Sequence, residues 1–543
     1  MTTTPRPRRL GGWGFEGERL EPSGAMLAWL AERFVAGPAV PAFDAASAGA
    51  FATGRALPEV AGLAGISTDP LDRLAHARGQ GLTDLVRLRS GSVPAVPDGV
   101  LRPCHAAAVA AAIVACDREG LHLTPWGGGT SVTGGVNTQP SRRADDPPGV
   151  VLDLSQLSGL LTLDDDSGLA TFGAGTTGPD VEAALAPHGL TLGHFPQSWE
   201  LSTVGGWIAT RASGQESMGF GRIEDLVAGV EASAPAGALR VRPRPAAAVG
   251  PDPLALLLGS EGRLGVITAA TLRVRPAPAA REVRAYLLPD WRAALDAVRE
   301  LALSGLPLAM LRLSNPPETE VAMATGLAGH RLAGTALRGW LRLHGRRGFG
   351  CLLLLGAAGS PGTLWSAHGG AAEILTRFRA LGLGSGPGRK WLGDRFRHPY
   401  LRDALLDRGI ATDTFETAGP WSSLATIAEA VRAALPVPVL AHVSHPYRDG
   451  ASLYFTFFFP CSSEADATVA GWAELKRTAT RALLDAGGTL SHHHGIGNWH
   501  APWYREAVGP PLADALAAAA RALDPHGTLN PSALFAPHDR LDI

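Results

Sequence analysis

Three adjacent imidazoles, His492, His493 and His494, sit between Ser491 and the Gly495-Ile-Gly497 turn. Such a run titrates close to neutral pH and suits proton handling, and adjacent histidines flanked by Ser and Gly are rare in a packed core. A lone arginine, Arg312, lies between Leu311 and Leu313. A guanidinium in an apolar strand is costly unless it is paired, so it marks a site as well. The third feature is a glycine loop, Trp126-Gly-Gly-Gly-Thr-Ser-Val-Thr-Gly-Gly135, directly after a short apolar strand. Glycine allows positive φ and close approach, so such a loop can turn several backbone N–H groups toward one anion, with Thr130 and Ser131 adding hydroxyls. One loop of this kind is most simply a tight turn. Two more blocks change that balance: His194–Gly221, rich in small polar residues (Ser198, Ser202, Thr203, Gly206, Thr210, Ser213), and Gly259-Ser-Glu-Gly-Arg-Leu-Gly-Val-Ile267. A planar cofactor with a long diphosphate tail needs dispersed backbone contact of this sort.

The alternatives are narrowed by what is missing. Lysine occurs only at positions 390 and 476, and neither follows a glycine, which excludes the lysine phosphate loop. Val132 stands where a dinucleotide fingerprint would have its third glycine. The 543 residues call for several domains, and a net charge of −2 gives no footprint for nucleic acid. Four cysteines without a Cys-x-x-Cys pair support neither a zinc ribbon nor a disulfide framework. The longest apolar run, Ala106–Cys116, is too short to span a bilayer and no secretory signal is visible, so the expectation is a cytoplasmic protein, with peripheral membrane contact left open.

The elements that must hold these residues follow from periodicity and punctuation. Residues 1–95 read as a helical arm. Residues 96–278 alternate strands (Leu121–Thr124, Val150–Leu154, Leu169–Phe172, Thr271–Arg275) with helices at Ala106–Cys116 and Pro179–Leu185. Pro276 and Pro278 mark a joint. Residues 279–485 then read as an α+β unit, with strands Val283–Leu288, Ala309–Leu313 and Leu453–Phe459 and helices Trp291–Leu303 and Ala467–Ala486. Residues 486–543 carry the histidine run and return to the first domain.

The three glycine blocks resemble, in order and spacing, the FAD-binding domain of the vanillyl-alcohol-oxidase (PCMH) type. The segments Pro196-Gln-Ser-Trp-Glu-Leu-Ser-Thr-Val-Gly-Gly-Trp-Ile-Ala-Thr-Arg-Ala-Ser213, Gly221-Arg-Ile-Glu-Asp-Leu-Val227, Tyr400-Leu-Arg-Asp403, Phe415-Glu-Thr-Ala-Gly-Pro-Trp421 and Ser491–Gly497 resemble its alkyldihydroxyacetonephosphate synthase (alkylglycerone-phosphate synthase) branch. The resemblance implies an α+β protein: a two-part FAD-binding domain plus a cap with an antiparallel sheet. It implies non-covalent FAD along Trp126, Gly127, Gly128, Gly129, Thr130, Ser131 and Val132. The second stretch is His194, Gln197, Ser198, Ser202, Thr203, Gly206, Thr210, Arg211, Ala212 and Ser213. The third is Glu261, Gly262, Leu264, Gly265, Val266 and Ile267. The implied reaction exchanges the acyl group of acyl-dihydroxyacetone phosphate for a fatty alcohol, through an adduct at flavin N5, in ether-lipid synthesis. Tyr454 then corresponds to the tyrosine that takes the substrate proton, Arg402 to the arginine on the substrate phosphate, Arg312 to a further active-site arginine, and His492–His494 to neighbours that supply positive charge to the phenol. A homodimer is also implied.

Two departures stand out. Gln197 replaces an aspartate, so a proton step on that carboxylate does not carry over, and Asn498-Trp499-His500 replaces basic residues. The rival within the fold is an FAD-dependent dehydrogenase or oxidase of a D-2-hydroxy acid such as lactate or glycolate. Its metal motif is only partly matched by His442-Val-Ser-His445-Pro-Tyr-Arg-Asp449. A divalent site from His442, His445 and His494 is the lesser reading, and no metal is expected.

Overall fold

The computed structural model describes residues 6–44, 51, 54–138, 147–328 and 330–535; parts of the expected arm and C-terminal segment (1–5, 45–50, 52–53, 536–543) lie outside the described residues. The Ala-rich stretch forms the helix Ala106–Arg118, capped by the His105 side chain accepting from Ala108 N–H. It packs on a three-stranded parallel sheet in the order Gly99–Leu101, Gly149–Asp153, His122–Trp126. A five-stranded antiparallel sheet follows, in the order Leu160–Asp164, Leu169–Gly173, Val266–Arg273, Val227–Ala234, Gly237–Val241. The first and third glycine blocks adjoin these sheets at strand ends, after Trp126 and before Val266.

The joint near 279 leads into a seven-stranded antiparallel sheet. Its order is Leu381–Gly384, Ala280–Leu288, Cys351–Gly359, Met310–Ser314, Val439–Pro446, Gly450–Pro460, Ile410–Pro420. Because successive side chains of a strand point to opposite faces, this sheet sorts its residues into two rows. Leu311, Leu313, Val443, Leu453, Phe455, Phe457 and Phe415 lie in the core under the helices Trp291–Leu303, Pro361–Arg377, Leu424–Ala434 and Ala465–Asp485. Phe415 stacks on Phe455 at 5.0 Å between ring centroids. The opposite row is polar at its centre, beside an apolar end formed by Val283, Met310 and Leu354. The pairings Ser314↔His442, His442↔Tyr454 and Tyr454↔Glu416 set these residues side by side, with Arg312 and Thr414 two positions along their strands. Phe458 shares that second face at the sheet's end, where Trp29 of the arm covers it.

The expected α+β class is the one observed, and Trp291–Leu303 is a helix over its expected span. The strands Leu160–Asp164, Cys351–Gly359, Ile410–Pro420 and Val439–Pro446 were not anticipated. Among the described residues no helix is long and apolar enough to cross a membrane.

Candidate active site and cofactor cradle

The three glycine blocks converge. A Cβ on Gly127 would lie 2.4 Å from Thr203 Oγ1, and one on Gly128 would lie 1.9 Å from the Leu201 carbonyl oxygen, so the first loop rests directly on the second. Gly129 adopts φ +63°. The third block joins them through Glu261 N–H donating to the Ala209 carbonyl (3.0 Å) and Asn530 Nδ2 donating to the carbonyls of Gly135 and Glu261 (2.9 and 2.7 Å). Ser260 Oγ and both ring nitrogens of His194 are buried without a hydrogen-bond partner among the described residues. Buried polar atoms in a native fold are almost always paired, so orphans along a glycine-lined surface fit a polar ligand such as FAD.

Several of the expected cofactor residues spend their side chains on the protein itself. Ser202 Oγ donates to the Ser198 carbonyl and accepts from Trp207 Nε1, and Thr203 caps the helix Val204–Thr210. Ser131 Oγ accepts from Gly135 N–H. Gln197 Nε2 donates to the Arg395 carbonyl at 2.6 Å. Trp126, Ala212, Leu264, Val266 and Ile267 are buried apolar residues. Their side chains pack inward, which leaves their backbone and the glycines as the candidate cradle. Glu261 is a strut: its carboxylate accepts from Ile496 N–H (2.6 Å) and Gly497 N–H (2.7 Å), and burial raises its pKa to about 7 against those two donors. The cradle is thereby tied to the histidine run.

A second carboxylate holds that run from the other side. Glu416, 2% exposed, accepts from Ser491 Oγ (2.7 Å) and from the backbone N–H groups of His492 (2.6 Å), His493 (3.1 Å) and His494 (2.9 Å). Burial works against its ionisation, but the neighbouring histidines and these donors hold it well below the usual carboxylate range. Burial also depresses the imidazoles, His493 to about 3 and His494 to about 4, with His445 and His492 well below their ordinary value. Burial thus disfavours the charged form along the whole run. The run does not supply the positive charge expected of it; removal from water outweighs the attraction of Glu416.

Tyr454 stands at the centre of the polar row. Its hydroxyl donates to Thr414 Oγ1 at 3.0 Å. Its ring stacks on His442 (5.0 Å) and His493 (6.0 Å) and meets His494 edge-on (5.4 Å). Burial raises its pKa, and Arg402 is the positive charge acting to lower it. Arg402 donates through Nη1 to the Gln80 carbonyl, whereas its Nε and Nη2 are buried without partners among the described residues. Two orphaned donors of one guanidinium are what a phosphate accepts in paired fashion. Arg312 is different. It is bonded to Glu318 Oε1 (2.6 Å) and Ser314 Oγ (2.9 Å) and lies 3.1 Å from His442 Nδ1. It reaches Tyr454 only through His442, so its pairing explains its tolerance in an apolar strand.

The histidines gather differently from the lesser metal reading. His442 is engaged by Glu318 and Arg312, while His445, His492 and His493 bring ring nitrogens within 4.8 Å of one another. His492 Nδ1 and His493 Nδ1 are 2.8 Å apart, the spacing of a hydrogen bond. Tyr447 OH lies 2.6 Å from His492 Nε2. Glu416, Thr414, Glu318, Tyr447 and Lys476 escaped the sequence reading. Lys476 is 1% exposed, and its ammonium donates to the Thr414 carbonyl at 2.9 Å with Asp413 Oδ2 at 3.8 Å. Its rarity was the available signal, since it is one of only two lysines.

Comparison with known proteins agrees with this geometry. A family model described as FAD binding domain matches residues 97–241, and one described as FAD linked oxidases, C-terminal domain, matches residues 277–534. The chain is 31% identical over 484 residues to an alkyldihydroxyacetonephosphate synthase of Dictyostelium discoideum, covering 87% of this chain and 78% of that protein. It is 30% identical over 495 residues to one of Trypanosoma brucei brucei, with the same coverage of 87% and 78%. A solved alkyldihydroxyacetonephosphate synthase structure superposes with a TM-score of 0.79 at 25% identity, covering 96% of this chain and 98% of that one.

Proposed function

This chain belongs to the alkyldihydroxyacetonephosphate synthase family, and we propose that it is an FAD-dependent synthase that exchanges the acyl group of an acyl-dihydroxyacetone phosphate for a long-chain alcohol. The observation that carries this reading is Arg402, whose charge acts on Tyr454 and whose two buried donors lack partners among the described residues, beside a histidine run tied to the glycine blocks. FAD is held non-covalently along the three blocks, since neither His nor Cys occurs within the first loop. FAD bound there would supply a nucleophilic ring nitrogen.

The protein's own groups do the rest. Arg402 binds the phosphate and fixes the three-carbon skeleton. Tyr454 takes the substrate proton; because burial keeps its phenol protonated at rest, its own hydrogen must first leave along the hydrogen bond to Thr414 Oγ1. Arg312 and Glu318 hold His442 against the Tyr454 ring. The carbon–oxygen bond to the fatty acid breaks, the alcohol oxygen bonds the same carbon, and no electrons are gained or lost overall.

The same reading divides the chain into the arm (1–95), the FAD domain (96–278), the cap (279–485) and the closing segment (486–543), and includes a cytoplasmic homodimer with peripheral membrane contact. Support for that contact comes from Leu332 and Leu343, 89% and 87% exposed, on the helix Arg331–Leu343. Arg338 and Arg342 of that helix, with Arg347, line a groove of about 600 Å³. The purified protein should carry flavin that acid releases, and should form hexadecyl ether from acyl-dihydroxyacetone phosphate and hexadecanol without an electron acceptor. Ether formation failing while D-lactate or glycolate bleaches the flavin would favour a dehydrogenase.

A further inference from the structure

Exchanging an ester for an ether turns an ester and an alcohol into an ether, a carboxylate and one proton. That proton must leave a site whose imidazoles and phenol are largely buried. Resting on the synthase reading, we propose that Tyr447 is the outer member of a proton-exit chain running from His493 through His492 to solvent.

The spacing is continuous: His493 Nδ1 to His492 Nδ1 is 2.8 Å, and His492 Nε2 to the Tyr447 hydroxyl is 2.6 Å. Its polarity follows from Glu416, whose Oε2 lies 3.6 Å from His493 Nδ1. A carboxylate facing one ring nitrogen favours the tautomer with its hydrogen there. His493 then donates from Nδ1 to His492 Nδ1, and His492, with its hydrogen on Nε2, donates to the Tyr447 oxygen. This leaves His493 Nε2 with a free lone pair on a ring stacked against Tyr454. A proton accepted at His493 Nε2 moves one hydrogen from His493 Nδ1 to His492 Nδ1 and one from His492 Nε2 to the Tyr447 oxygen. The original Tyr447 hydrogen departs from that half-buried residue. Reorientation of the hydroxyl and rings resets the chain, and no bond to carbon is involved.

The surroundings suit the task. His492 and His493 face His445, His442, Glu416 and Arg222. Tyr447 faces Ser213, Arg222 and Glu224 at the edge of the FAD domain, and burial pushes its pKa up to about 12, so it stays a neutral carrier rather than a charge trap. Arg222 also donates through Nη2 to the His492 carbonyl at 2.8 Å, which fixes the ring's position. Tyr447 is thus a positioning and relay residue and touches no reacting atom.

The test is Tyr447→Phe in the FAD-loaded protein, with His492→Gln as a second variant. Tyr447→Phe should lower kcat at least about tenfold with KM for the acyl substrate within twofold, steepen the dependence of kcat on pH and enlarge the solvent deuterium effect. His492→Gln should give the same split. Nitrogen-15 labelling of histidine, read on the protein without substrate, should show His492 protonated at Nε2 in the wild type and redistributed toward Nδ1 in Tyr447→Phe. Unchanged kcat, pH profile and tautomer would overturn the chain, as would a wild-type His492 protonated at Nδ1. No ether product from a wild type with the Nε2 tautomer intact would overturn the synthase reading instead.

Discussion

Replacing Glu416 by Gln tests what holds the histidine run. The carboxylate takes four hydrogen bonds: Oε1 from Ser491 Oγ, His493 N–H and His494 N–H, and Oε2 from His492 N–H. A glutamine carbonyl in the Oε1 position keeps three of these as neutral bonds and sets an NH2 against the fourth donor. One charge-assisted bond is lost, about 1.5–3 kcal/mol, and one buried N–H is left unpaired, about 1–3 kcal/mol. The expected local loss is therefore about 2.5–6 kcal/mol, or at least about 70-fold in the opening of the segment. Hydrogen exchange of the His492–His494 amides, followed by mass spectrometry, reads it directly, and ether formation should fall by a comparable factor. The effect should persist from pH 6 to 8: with a depressed folded-state pKa, Glu416 stabilises the fold above its unfolded value near 4.5, and that contribution is lost only as pH falls below it. Exchange and activity within twofold of the wild type would refute the assignment.

Further outcomes follow from the same structure. Arg402→Gln should lower kcat/KM for the phosphorylated substrate by about 10²-fold, through two lost charged hydrogen bonds, with flavin content unchanged. Gly128→Ala should abolish flavin retention, because its Cβ would sit 1.9 Å from the Leu201 carbonyl, whereas Gly24→Ala, with open space around it, should not. Since burial depresses His445, His492, His493 and His494, the unfolded chain gains protons below pH 6.5 while the fold does not. The unfolding free energy from urea titration should therefore fall as pH drops from about 6.5 toward 4, by up to about 1.4 kcal/mol per pH unit for each histidine.

Which parts of this were legible in sequence has a physical pattern. Glycine blocks announce a cradle because their constraint is local; the loops at 127–129 and 261–265 need positive φ or a missing Cβ wherever they fold. Apolar strands with strong local signals, such as Gly450–Pro460, were readable. Ile410–Pro420 carries Asp413, Thr414 and Glu416 among its hydrophobes, so only sheet pairing shows that these polar groups share a row with Tyr454. The charge state of the histidine run was beyond sequence for the same reason. Adjacent imidazoles read as candidate cations until packing between two domains removes their water. Arg312 was rightly marked as needing a partner, but Glu318, six residues on and across a turn, was not recognisable as that partner.

The central claim is that the alcohol oxygen itself becomes the ether oxygen at an FAD site without net redox change. Hexadecanol labelled with oxygen-18, incubated anaerobically with the flavin-loaded protein and unlabelled acyl-dihydroxyacetone phosphate, measures this directly. Labelled ether and one unlabelled fatty acid released per ether formed are expected, with the flavin spectrum restored after each turnover. Unlabelled ether, or fatty acid release without ether, would contradict it.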